Sequence, residues 1–132
     1  MLQVTFIAKI NQTNDIVSEI LRSSLDASVD FISPETDYSD QLPLLIKKHS
    51  VIIYDLNTSH GCGNAPDNIK DIKTGSPDIP ILVLDHHDDK KFVQPLMDAG
   101  ASGVISHTPT EPKLVEAVNE LLNGNTFFEY PE

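Results

Sequence analysis

The chain has 132 residues, a hydrophobic fraction of 39% and a formal net charge of −11, which suits one domain with a single core and excludes a disordered chain. The acidic balance, with Arg22 the only arginine, excludes phosphate-directed binding of DNA, RNA or an anionic membrane by this segment alone, because such contacts need clustered Lys and Arg. A single cysteine, Cys62, rules out an internal disulfide, and no apolar run approaches membrane-spanning length.

In chain order, residues 2–8 are apolar and β-prone and predict a first strand. Thr13 or Asn14 is a candidate cap for a helix running to Leu25, with Ile16, Ile20, Leu21 and Leu25 on its inward face. Residues 29–32 predict a second strand, closed by Ser33-Pro34, and residues 41–48 a helix with Leu42, Leu45 and Ile46 inward and Pro43 in its first turn. Residues 51–55 are the third strand, followed by a polar, Gly-containing loop and a weak helix over 67–73. Residues 79–85 are the fourth strand, and residues 89–99 a helix capped by Gly100 that carries Pro95 inside it. Residues 103–106 are the fifth strand. Pro112 opens a last helix at its first position, with Leu114, Val118, Leu121 and Leu122 inward and Gly124 as its end. Residues 1–124 are thus expected to form one domain, and residues 125–132 a tail or the start of a linker. Strand–helix alternation, with strands such as Val51-Ile52-Ile53 apolar on both faces, predicts an α/β fold: a doubly wound, five-stranded parallel sheet covered on both sides. The N-terminal Met1-Leu2-Gln3-Val4 lacks the basic start and long apolar core of a signal peptide, so a cytoplasmic protein is expected.

Three apolar runs end on polar residues. Val51-Ile52-Ile53-Tyr54 ends on Asp55, Ile81-Leu82-Val83-Leu84 on Asp85, and Gly103-Val104-Ile105-Ser106 on His107. In an open α/β sheet the carboxyl ends of the strands build the site, so these three side chains are expected at one edge. Other candidates are weaker. His86-His87-Asp88-Asp89 lacks the separated ligand pairs of a zinc motif and suits a helix cap better. Gly61-Cys62-Gly63 lacks the Gly-Lys-Ser/Thr ending of a phosphate loop, and Cys62 has no base beside it in sequence. His107 titrates near neutrality but reads as a half-exposed strand-end histidine rather than a pH sensor.

These residues resemble the receiver domain of bacterial two-component response regulators over nearly the whole chain. The resemblance rests on Val51-Ile52-Ile53-Tyr54-Asp55-Leu56-Asn57 with Gly63, on Pro80-Ile81-Leu82-Val83-Leu84, and on Ala99-Gly100-Ala101-Ser102-Gly103-Val104. The ending Leu121-Leu122-Asn123-Gly124-Asn125 is similar to receivers that precede a LuxR-type helix-turn-helix domain. The resemblance implies a flavodoxin-like, three-layer α/β/α fold and a non-enzymatic role in phosphorelay signal transduction and transcription regulation. It implies a sensor histidine kinase, an attached or partnered DNA-binding output domain and a homodimer as partners. Asp55 corresponds to the phosphoacceptor, and Asn57 to the residue whose carbonyl completes an Mg²⁺ shell.

The sequence departs from the family pattern at the rest of the site. The acidic metal-holding pair is replaced by Ala8 and Lys9, the hydroxyl residue by Asp85, the lysine by His107, the aromatic switch residue by Val104 and the Met-Pro after the acceptor by Thr58-Ser59. Mg²⁺ requires carboxylate-rich octahedral oxygen geometry, so its binding is expected to be weak or absent. Lys9 is expected to pair with Asp55, Asp85 or both, supplying charge without in-line positioning of a phosphoryl group, so phosphotransfer is expected to be slow or absent. The competing functions are a small-ligand-sensing pseudo-receiver and a conventional Asp55 phosphoacceptor.

Overall fold

The computed structural model describes residues 2–7, 12–32, 51–55, 65–75, 79–84, 90–105 and 110–129. Six strands and four helices lie among them: β1 Gln3–Ile7, α1 Gln12–Leu25, β2 Ser28–Ile32, β3 Val51–Asp55, α2 Ala65–Gly75, β4 Ile81–Leu84, α3 Lys90–Ala99, β5 Gly103–Ile105, α4 Glu111–Leu122 and β6 Phe127–Glu129. The strands form one sheet in the order β2-β1-β3-β4-β5-β6, every pair parallel. After β1 the chain moves outward to β2, then returns past β1 to β3 and continues the other way. The reversal lies between β1 and β3, the place where this topology opens a crevice at the strand ends.

Each inner strand sorts its residues by parity. Val4 and Phe6, Val51 and Ile53, Leu82 and Leu84, and Ile105 face one layer, where Val17 and Leu21 of α1 and Leu114, Ala117, Val118 and Leu121 of α4 meet them. Ile7, Ile52, Tyr54, Ile81, Val83 and Val104 face the other, against Ile69 and Ile72 of α2 and Leu96 of α3. This is the expected three-layer α/β/α arrangement. The edge of the first layer carries a stacked pair, Phe6 and Phe31, with centroids 5.1 Å apart.

Several local expectations are corrected. Phe127–Glu129, expected to be tail, adds a sixth strand beside β5, with Phe127 packing on one face of the sheet and Phe128 on the other. The buried stripe of α1 is Asn14, Val17, Ser18 and Leu21, whereas Ile16 is 53% exposed; this stripe has helical spacing but includes two polar residues. In α4, Leu122 is 44% exposed and Ala117 takes an inward position instead. That helix starts at Glu111, so Pro112 occupies its second position, where the missing N–H again has no helical partner to lose. Pro95 sits inside α3, which nonetheless runs its ten residues through it. The helix expected over residues 41–48 lies outside the described residues.

Gly100 ends α3 with φ +116°, its N–H on the Met97 carbonyl at 3.1 Å and the Ala101 N–H on the Leu96 carbonyl at 3.0 Å. A Cβ there would also lie 2.9 Å from Lys73 Cγ. Lys73 thus lays its stem under the α3–β5 corner, and its Nζ donates to the carbonyl of Ile79, just before β4, at 2.9 Å. Lys73→Met keeps the stem and removes this charge-assisted bond, and is expected to lower stability by about 1.5 kcal/mol in urea unfolding. A loss several times larger would assign Lys73 more than this corner.

Candidate functional site

Asp55 is the last residue of β3, and strand alternation gives it the parity of Val51 and Ile53, on the α1 side of the sheet. It is only 3% exposed, a burial that charged residues rarely reach without partners. α1 follows β1 and so starts at the edge where the strands end. Helical side chains lean towards their own N-terminus, which carries a first-turn residue of α1 towards that edge.

Asn14, third residue of α1 and 2% exposed, uses this geometry. Its Nδ2 donates to Asp55 Oδ2 at 2.9 Å across 41 positions of sequence. A carboxylate accepts hydrogen bonds only, so the amide must present its nitrogen. The N-terminal end of α1, with its positive dipole, adds a favourable field for the buried anion. One turn below, Ser18 is also buried; its Oγ donates to the Asp15 carbonyl at 3.0 Å and accepts from Arg22 Nη1 at 3.3 Å.

Asn14 was expected at most to cap α1. The helix instead begins at Gln12, and the side chain of Asn14 turns to the sheet. Sequence reasoning missed it because a polar residue at a helix start reads as a cap. The available signal was its place three, four and seven positions before Val17, Ser18 and Leu21.

Of the site residues expected from sequence, Asp55 is described and stands at the switch point. Ala8, Lys9, Asn57, Asp85 and His107 lie outside the described residues, as do Thr58, Ser59, Cys62 and the segment 86–89. The described strands nonetheless end close to them in sequence. The β1–β3 ladder closes on Ile7↔Tyr54, the β3–β4 ladder on Asp55↔Leu84 and the β4–β5 ladder on Leu84↔Ile105. Ala8 and Lys9 follow the first of these directly in the chain, and Asp85 the second. Val104 is fully buried and is the register partner of Phe128 of β6. Among the described residues no group of three or more His, Cys, Asp or Glu is placed to hold a metal ion, and no helix is long and apolar enough to cross a membrane.

No family model matches the sequence. The transcriptional regulatory protein DegU of Brevibacillus brevis is 31% identical over 85 residues, covering 63% of this chain and 35% of that protein. The chain spans between about a third and a half of the length of the curated relatives it matches. The non-phosphorylated receiver domain of the stress response regulator RcsB from Escherichia coli superposes with a TM-score of 0.78 at 20% identity, over 97% of this chain and 98% of that one. A LuxR family DNA-binding response regulator from Silicibacter pomeroyi superposes with a TM-score of 0.74 at 18% identity, over 98% and 97%. The chain therefore has the receiver-domain fold, flavodoxin-like in strand order; its curated relatives include transcriptional regulatory proteins, and its structural neighbours include a LuxR family response regulator.

Proposed function

We propose that this chain is the signal-transduction receiver domain of a transcriptional response regulator whose phosphorylation site is degenerate, and that it acts through protein contacts rather than catalysis. The observation that carries the reading is the buried carboxylate of Asp55 at the carboxyl end of β3, beside the strand reversal, in a fold shared with receivers. The relatives' description as transcriptional regulators supports an output domain that binds DNA, attached or partnered; a sensor histidine kinase and a second copy of this chain are the further partners in this reading. A cytoplasmic location follows from that signalling role.

The degeneracy rests on charge and donor chemistry. Mg²⁺ needs oxygen ligands, and the residue facing Asp55 Oδ2 presents an N–H donor instead. The two positions that directly follow β1 are Ala8 and Lys9, which supply no carboxylate. The groups present do not suit a divalent ion. In this reading the Lys9 ammonium supplies fixed positive charge near Asp55, with Asp85, Asn57 and His107 completing the lining. An ammonium neutralises charge but does not orient a phosphoryl group for in-line transfer.

The test is incubation with a small-molecule phosphodonor and Mg²⁺, followed by intact-mass spectrometry. The expected spectrum keeps the unmodified mass as its dominant species. Stoichiometric aspartyl phosphate at Asp55 would show a conventional phosphoacceptor and overturn the degenerate-site reading, leaving the receiver assignment intact.

A further inference from the structure

We propose that Asn14 is a positioning residue that locks one oxygen of the Asp55 carboxylate, so that Asp55 presents both oxygens to a reactant or a cation only when the Asn14 amide lets go. The lock itself is a matter of geometry; its role as a gate on the acceptor rests on Asp55 being the phosphoacceptor equivalent.

An aspartate that takes a group onto one oxygen while the other meets a cation needs both oxygens presented outward. Here Oδ2 is held at 2.9 Å by an amide that is itself 2% exposed, and Asp55 is 3% exposed. The donor is not on a loop. Asn14 belongs to a helix anchored by Val17 and Leu21 in the layer between α1 and the sheet, and Ser18 is buried in the same stripe. The acceptor is equally fixed, at the end of a strand in which all five residues are buried. Neither partner yields by a simple rotamer change without losing a buried hydrogen bond to a charged group. The bond therefore couples exposure of Asp55 to movement of the first turn of α1. It also accounts for a first-turn asparagine that is buried against the sheet instead of being turned to solvent.

The experiment reads access to Asp55 without phosphorylation. The folded chain is treated with a water-soluble carbodiimide and a small amine: the carbodiimide activates the carboxyl and leaves as its urea carrying one carboxyl oxygen, and the amine forms the amide. Peptide mass spectrometry then gives a rate at each carboxylate, with the exposed Asp71 and Glu116 as internal controls. Asn14→Ala is expected to speed labelling of Asp55 by about tenfold or more, the factor set by one hydrogen bond to a charged group, while the controls keep their rates. Equal Asp55 rates in the two proteins would overturn the lock. Should Asn14→Ala fail to fold, the wild-type protein still decides: the Asn14 side-chain amide protons are expected to exchange slowly with solvent by NMR, and fast exchange would overturn the lock. Stoichiometric phosphorylation of wild-type Asp55 would instead defeat the degenerate-site reading, an outcome separate from the labelling contrast.

Discussion

Asn14→Ala is expected to lower stability by about 2 kcal/mol, and most of that loss should vanish when Asp55 is also alanine. The single substitution removes a donor from one oxygen of a buried carboxylate, and a hydrogen bond to a charged group contributes roughly 1.5–3 kcal/mol. Asp55→Ala alone takes one acceptor from the Asn14 amide, a neutral group, and should cost less for that reason. With both side chains gone their shared bond is counted only once, so the double-mutant cycle should show a coupling of at least about 1 kcal/mol. At about 3–4 °C per kcal/mol for a chain of this size, the Asn14→Ala loss corresponds to a fall in Tm of about 7 °C. Urea unfolding of the four proteins at one pH measures the cycle. Additivity within about 0.5 kcal/mol would mean that the two residues do not act as a pair.

That pair marks the boundary of what the sequence makes legible. Asp55 was readable because an apolar run of four residues precedes it and the strand rhythm repeats along the chain. The α/β/α layering followed from the same rhythm. Asn14 was not readable, because hydropathy ranks Ile16 above Asn14 and Ser18: Ile20, Leu21 and Leu25 do pack on the core, but the apolar stripe is turned a little too far, towards the exposed Ile16. The fully buried stripe keeps Leu21, adds Val17 and tolerates two polar residues, one bonded to Asp55 and the other within its own helix. Leu122 misled in the same way: it is apolar but lies one position past the inward Leu121, and the smaller Ala117 takes the buried place. β6 escaped notice for a different reason. Gly124 stops α4 and Asn125 ties back to Glu120 through both its backbone and its amide, which looks locally like the end of a domain. Three residues are too few to show a period, and what admits the strand is a glycine more than twenty positions earlier.

Gly103→Ala should detach β6 and lower stability by about 2 kcal/mol, within the usual range for overpacking a filled interior. A Cβ at Gly103 would sit 2.7 Å from the Phe127 carbonyl oxygen, 3.1 Å from Leu82 Cδ1 and 3.5 Å from Leu121 Cδ2. The leucine methyls can yield by small rotations, but the carbonyl belongs to the backbone of the strand paired with Gly103 and cannot turn aside alone. β6 must therefore move as a unit, losing the bond from the Phe127 N–H to the Ser102 carbonyl at 3.1 Å and the packing of Phe127 and Phe128 on the two faces of the sheet. Gly124→Ala is the matching control: a Cβ there meets nothing within 4 Å, and only the backbone φ of +85° resists, a strain of about 1 kcal/mol. Hydrogen exchange separates the two. In Gly103→Ala the Phe127 amide should lose its protection while Ile53, at the centre of the sheet, exchanges only through global opening; in Gly124→Ala the Phe127 amide should remain protected. A Gly103→Ala protein with full stability and a protected Phe127 amide would mean that β6 does not pack on β5 at this distance.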